Sequence, residues 1–249
     1  NCGKRMNWEA DPLVTRSSRR LLVHVEGLTE ETFVNQILAP HLYEFGYSKV
    51  AARLVGNARN RSNRGGTRGW RSVRRDIVRH LKEDSDCYAT TMLDFYGMVQ
   101  DGPNAWPKRK DASMAPYELK SDMVESAMLD EVNFELAETH GRVRFLPFLV
   151  MHEFEGLLFS DCENFAKAIG RPQILNNMQS IRNEFNSPEE INDSQITAPS
   201  KRIESLVPGY QKVLFGTIAI QRMGLDTIRK ECPHFDHWIR NLEDWSDHE

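Results

Sequence analysis

Leu21-Leu22-Val23-His24-Val25-Glu26-Gly27-Leu28-Thr29-Glu30-Glu31 is the stretch from which the fold is read. Its first five residues form a short apolar, β-branched run, the pattern of a buried strand. Glu26-Gly27 ends it. Thr29 is a good helix N-cap, and Glu30 and Glu31 fall in the first turn, where the backbone dipole favours negative charge. Phe33, Ile37, Leu38, Leu42 and Phe45 then recur at helical spacing, and Gly46 supplies a stop.

The same alternation continues outward. Lys49 to Val55 reads as a second strand, and Asn57 to Gly69 as a loop dense in Arg, Asn, Ser and Gly. Trp70, Val73, Ile77 and Leu81 mark a helix. Tyr88 to Leu93 is a third strand, closing on Asp94-Phe95-Tyr96-Gly97, and 98–116 reads as a long loop. A helical stretch spans about 117–139. Val143 to Val150 is a fourth strand that delivers His152-Glu153-Phe154-Glu155, followed by a helix over 157–169. Helices dominate from Arg171, with an exposed polar hinge at 183–200. Strands and helices alternating at this spacing predict an α/β fold, a mainly parallel sheet covered by helices, with a helical C-terminal portion. The expected division is a flexible arm over 1–19, an α/β domain over 20–170 and a helical extension packed on it over 171–249.

A chain of 249 residues with 40% hydrophobic and 27% charged residues is an ordinary globular protein, which sets aside disordered and fibrous classes. No apolar run approaches the roughly 20 residues that span a bilayer. The first twenty residues lack the apolar middle of a secretory signal, so a cytoplasmic location with no membrane contact is expected. Cys2, Cys87, Cys162 and Cys232 are scattered without framework spacing and read as reduced thiols. Cys232, His234 and His237 form a short string, but structural zinc needs four ligands and no second cluster accompanies it.

The net charge of −4 hides an asymmetry. From Arg53 to Lys82 there are ten basic residues, including Arg53, Arg59, Arg61, Arg64, Arg68, Arg71, Arg74, Arg75 and Arg79, against one acid, Asp76. From Glu118 to Glu138 there are seven acids against one base, Lys120. A single-signed basic cluster points to a polyanion, DNA or RNA; the plain alternative is a solvated helix face. Trp70 sits in step with Val73 and Ile77, which assigns it to the core rather than to a stacked base.

Three strands end in carboxylates: Glu26, Asp94, and the pair Glu153 and Glu155. Ligands of open parallel sheets bind outside the carboxyl ends of the strands. Carboxylates gathered there repel one another unless a cation neutralises them, and oxygen-only ligands suit Mg²⁺ or Mn²⁺. Any one of these acids alone also reads as a cap or a surface charge. Lys201, Arg202 and Lys212 offer positive charge to a phosphate, or are surface charge flanking a turn. His152 reads as a packed histidine, with a general base beside a metal as the alternative.

Val25-Glu26-Gly27-Leu28-Thr29-Glu30 resembles the first motif of TOPRIM domains, the metal-dependent fold of topoisomerases, primases and OLD-family nucleases. That fold ends its third strand in Asp-x-Asp. Asp94 matches the first aspartate, whereas Tyr96 stands where the second would be, so the resemblance implies a site with one ligand missing or replaced by Glu153 or Glu155. From Arg20 onward the chain resembles an uncharacterised bacterial family of TOPRIM-like proteins found beside ATPases in phage-defence and abortive-infection operons. The matching stretches are Val25–Glu30, Asp94–Gly97, His152–Asp161, Pro199-Ser200-Lys201-Arg202-Ile203, Gly209-Tyr210-Gln211-Lys212, Gly224-Leu225 and Cys232-Pro233-His234-Phe235. The resemblance implies fold and site more than reaction; taken with the carboxylates and the basic run, the leading reading is a divalent-metal-dependent nuclease, the effector of an antiviral defence system, with Glu26, Asp94 and one of Glu153 and Glu155 on the metal. In that reading Lys201 and Lys212 assist in catalysis. The resemblance also implies an AAA- or ABC-type ATPase partner and leaves homo-oligomers open. The alternative is a catalytically inactive partner of such an ATPase; a different phosphoryl transfer is the third reading.

Overall fold

The computed structural model describes residues 19–55, 69–136, 144–192, 194 and 196–245. The sheet is parallel throughout. β1 (Arg19–Val25) lies between β2 (Tyr47–Leu54) and β3 (Cys87–Asp94), and β3 also pairs with two short strands, β4 (Phe145–Leu146) and β5 (Leu149–Val150). The expected α/β class and mainly parallel sheet are therefore present. The single fourth strand expected from the sequence is broken in two at Pro147, which has no N–H for the ladder. Thr91 fills the gap: its Oγ1 donates to Phe148 O at 2.8 Å and accepts from Phe148 N at 2.9 Å.

Period-two alternation sorts β1 between two cores. Leu21, Val23 and Val25 face α1 (Leu28–Phe33), α2 (Ala39–Tyr43) and the C-terminal helices, while His24 faces the helix between β2 and β3. A π-helical stretch, Val34–Leu38, joins α1 to α2. On the other face α3 (Trp70–Glu83), α4 (Arg109–Met114) and α5 (Tyr117–Leu136) bury Val73, Ile77, Ala112, Val124 and Val132 with Leu93 and Phe95 of the β3 end. α4 corrects the reading of 98–116 as a loop. It has no apolar period to betray it, yet Arg109 and Ala112 are buried.

Beyond β5 a 3₁₀ segment (Phe154–Asp161) precedes α6 (Cys162–Ala168), so the helix expected over 157–169 is two elements, divided where Asp161 caps Asn164 N at 2.8 Å. The chain continues through α7 (Leu175–Arg182), α8 (Pro199–Leu206), α9 (Lys212–Met223), α10 (Leu225–Glu231) and α11 (Pro233–Asp244). The stretch 183–200 is not exposed throughout: among its described residues Pro188, Glu189 and Ile191 are buried, and Glu189 accepts from His234 N (3.0 Å) and Phe235 N (2.9 Å) and so caps α11. The C-terminal helices share a core with the sheet, where Trp238 stacks on Phe148 at 4.2 Å and donates to Thr90 Oγ1 at 2.9 Å. The arm expected over 1–19 lies outside the described residues except for Arg19, which opens β1.

Candidate active site

Because every strand is parallel, the C-terminal ends of β1, β3 and β5 lie at one edge of the sheet. Glu26 follows β1, Asp94 ends β3, and Glu153 and Glu155 follow β5. The charges of Glu26, Glu30, Glu155 and Glu153 all act on Asp94. The four carboxylates expected at this edge thus stand at the same edge, with Glu26, Glu155 and Glu153 near enough to act on Asp94.

The turn after β5 makes this possible. His152 adopts a left-handed conformation (φ 67), uncommon for a residue with a side chain, and the chain there turns back over β3. His152 O accepts from Tyr96 N at 3.0 Å, and Phe154 N donates to Asp94 Oδ1 at 3.0 Å. The ring of His152 is buried between Phe95 and Tyr117, at centroid distances of 6.2 and 6.1 Å. Its place is that of a packed turn residue rather than a general base.

Asp94, Glu153 and Glu155 are each oriented by a donor of their own. Glu153 Oε2 accepts from Ser200 N at 2.9 Å, at the start of α8, and Lys212 Nζ lies 3.3 Å from Glu155 Oε2. Lys212 reaches the site because α9 packs closely on α1 at Gly216, where an added Cβ would stand 3.1 Å from Thr29 Cγ2. Lys201, by contrast, is not part of the cluster. Ser200 faces Glu153, and the next side chain on the helix points to solvent and pairs with Glu204 at 2.8 Å. Lys201 is therefore surface charge.

Glu30 was not singled out from sequence, where it served only as a first-turn acid. Its side chain folds back over Gly27, whose added Cβ would lie 3.0 Å from Glu30 Oε2, and the residue is buried. Burial, with Glu155 and Glu26 nearby, raises its pKa to about 7, although hydrogen bonds from the backbone of Glu30 and Gly27 work the other way. Asp94 is pushed well above the usual carboxylate range by burial and by Glu26, Glu30, Glu155 and Glu153. Burial also raises Glu155, against the pull of Lys212. Burial disfavours the Lys212 ammonium, but Glu155, Glu153 and Asp94 outweigh it and hold its pKa above normal. The edge is a cluster of five acids facing one lysine, a strong demand for positive charge.

The model of one family, a domain of unknown function (DUF4276), matches residues 25–243. The chain belongs to that family. No curated protein and no solved structure matches it.

In this DUF4276 chain the donor set, all carboxylate, fits a hard divalent cation. The side chains as they stand do not yet form a ligand shell: among the described residues no group of three or more His, Cys, Asp or Glu is arranged to hold an ion. Ser200 N, Phe154 N and Lys212 each hold one oxygen of Glu153, Asp94 and Glu155 and leave the other to a ligand. Tyr96, two residues after Asp94, adds no carboxylate.

The basic segment divides. Arg59, Arg61, Arg64 and Arg68 lie outside the described residues. Arg71, Arg75, Arg79 and Lys82 form an exposed stripe along α3, and Arg53 is exposed at the end of β2. Arg79 pairs with Asp76 at 3.3 Å within the same helix. Arg74 is turned the other way, onto Glu131 and onto Glu135 at 3.3 Å in α5. The two oppositely charged runs thus partly neutralise each other, which removes Arg74 from the exposed basic stripe. Trp70 is core, as its spacing predicts: it packs on Trp106 at 5.2 Å and donates from Nε1 to Glu131 at 2.7 Å. Cys87, Cys162 and Cys232 are buried free thiols; Cys2 lies outside the described residues. No described helix is long and apolar enough to cross a membrane.

Proposed function

We propose that the chain is a divalent-metal-dependent nuclease that hydrolyses phosphodiester bonds of DNA or RNA, working as the cytoplasmic effector of an ATPase-coupled antiviral defence system. The observation that carries this reading is the meeting of Glu26, Glu30, Asp94, Glu153 and Glu155 at the carboxyl edge of the sheet, with Lys212 as their partner. Glu26, Glu30, Asp94 and one of Glu153 and Glu155 would hold Mg²⁺ or Mn²⁺. Such an ion, when bound, supplies a nucleophilic water at neutral pH and stabilises charge on the phosphate.

The protein's own part is positioning and charge. Ser200 N and Phe154 N orient Glu153 and Asp94, as outer partners of ligating carboxylates do. Lys212 leans on Glu155 and can turn its ammonium toward a phosphate oxygen once another cation takes over neutralising the acids. α3 returns the chain from the carboxyl edge, so the Arg71 end of its basic stripe is the end nearer the site. A strand held on Arg71, Arg75 and Arg79 would run toward the acids.

The test is cleavage of single- and double-stranded DNA and RNA with Mg²⁺ or Mn²⁺, alone and with the ATPase encoded alongside. Absence of cleavage under all these conditions would sink the proposal. The second reading, a catalytically inactive partner of the ATPase, would then take its place; Tyr96 and the lack of a formed three-carboxylate group among the described residues favour it.

A further inference from the structure

Among the described residues two arginines are almost completely buried, Arg109 and Arg144, each 2% exposed. A buried guanidinium is tolerated only where its donors and charge are met. Arg144 meets this at the amino edge of the sheet, where it donates to Leu81 O (2.6 Å), Asp84 O (2.7 Å) and Cys87 O (2.9 Å) and ties the end of α3 to the start of β3. Its role ends there.

Arg109 lies at the opposite edge. Its Nε donates to Phe95 O at 3.0 Å, and its guanidinium carbon stands 3.8 Å from the centre of the Phe95 ring. It therefore grips the residue next to Asp94 by both backbone and side chain. The other side of the same turn is fixed by β5, through Phe95 N to Val150 O and Tyr96 N to His152 O, both 3.0 Å. Connections of this kind in α/β folds usually take roughly 2 to 6 residues. Here the chain makes a far longer detour from Phe95 to Pro116 before α5 begins. Trp106 anchors the detour, with its backbone N–H on Val99 O at 2.8 Å and its ring on Trp70. Lys108 then takes a left-handed conformation (φ 57), and Arg109 follows as the first residue of α4. A detour that buries a cation against the residue after Asp94 is more than a connector.

We propose that Arg109 is a positioning residue of the carboxylate edge: by clamping Phe95 it fixes where Asp94 stands and so sets the affinity of the site for a divalent cation. This rests on the metal-site reading above, and its test does not need nuclease activity. Mn²⁺ binding to the full chain would be titrated by electron paramagnetic resonance, beside thermal melts, for the parent, Arg109→Met, Arg109→Lys, Phe95→Leu and Arg144→Met. Loss of an outer partner weakens metal binding by about 10-fold or more, so Arg109→Met is expected to fall by that much. Arg109→Lys keeps the charge but not the geometry and recovers part of the affinity. Phe95→Leu keeps the carbonyl, loses the ring and falls by less. Arg144→Met melts earlier yet binds Mn²⁺ as the parent does. Parent-like affinity in Arg109→Met, or an equal loss in Arg144→Met, would overturn the proposal and leave the metal site standing. Should Arg109→Met not fold, unchanged binding in both Arg109→Lys and Phe95→Leu would overturn it. A parent that binds no Mn²⁺ removes the metal-site reading, and this proposal with it.

Discussion

His24 Nε2 lies 3.3 Å from His80 Nδ1 in the interior between β1 and α3, with the two rings stacked at 5.5 Å. His24 Nδ1 lies 3.3 Å from Thr90 O, a carbonyl that can only accept, so Nδ1 carries the proton and Nε2 accepts from His80. Both rings are neutral. Burial, then His80 and Arg53, lowers His24 to about 3 from 6.5; burial, Arg53 and Arg79 lower His80. A histidine depressed in the folded state contributes fully above its unfolded pKa, and that contribution is lost as pH falls from 6.5 toward about 3. Glu30, raised to about 7 from 4.5, has the opposite sign and costs stability as pH rises across that interval. His24→Gln should therefore flatten the acid-side loss in urea melts run from about pH 7.5 down to about 4.5, a range that spans the unfolded histidine pKa. An acid limb identical to the parent's would show that this pair does not control it.

Glu26→Gln should abolish metal-dependent cleavage while leaving the melting temperature and nucleic-acid binding close to the parent's. The swap keeps the shape of the side chain and removes a charge that the cation requires. A variant that cleaves as well as the parent refutes the enzyme reading.

The arginines of α3 should separate by face. Replacing Arg71, Arg75 and Arg79 by Gln should weaken nucleic-acid binding and reduce the slope of log affinity against log salt by roughly one unit for each phosphate no longer bound. Arg74→Gln should leave that slope alone and lower stability instead, because its partners are Glu131 and Glu135. Binding measured from low to moderate salt decides; a slope change in Arg74→Gln equal to that of the others would contradict the assignment.

Arg144→Met should cost about 3 kcal/mol, since several carbonyls are left without a donor inside the protein. Equilibrium denaturation gives the number, and a change within experimental error would mean that water replaces the guanidinium.

Mn²⁺ should raise the melting temperature of the parent more at about pH 8 than at about pH 5, because ligands must shed their protons to bind a metal. Glu30, raised to about 7, is protonated at the lower pH, and the upward shifts of Asp94 and Glu155 make protons compete harder with the ion there than at the higher pH. Equal stabilisation at both pH values would place the ion elsewhere.

The strands, and what stands at their ends, were legible in the chain before any folding. β1 and β3 are short apolar runs whose burial is local information, and Glu26 and Asp94 follow directly from where those runs stop. Once every strand is parallel, one edge must collect Glu26, Asp94 and the pair after β5. Pro147 already carried the break between β4 and β5, in the absence of its N–H. The rest waited on packing. Glu30 and Glu31 are equivalent first-turn acids by pattern, and only the fold of Glu30 over Gly27 separates them. Lys212 and not Lys201 faces the acids because α9 closes on α1 at Gly216, where residues far apart in the chain meet. Arg74 is taken from the basic stripe because α5 presents Glu131 and Glu135 beside it. Arg109 sat in a stretch with no period to read, and its value emerges only when its guanidinium meets Phe95. Local pattern fixes which backbone a residue rides on; which charge it meets depends on chain brought together across long separations.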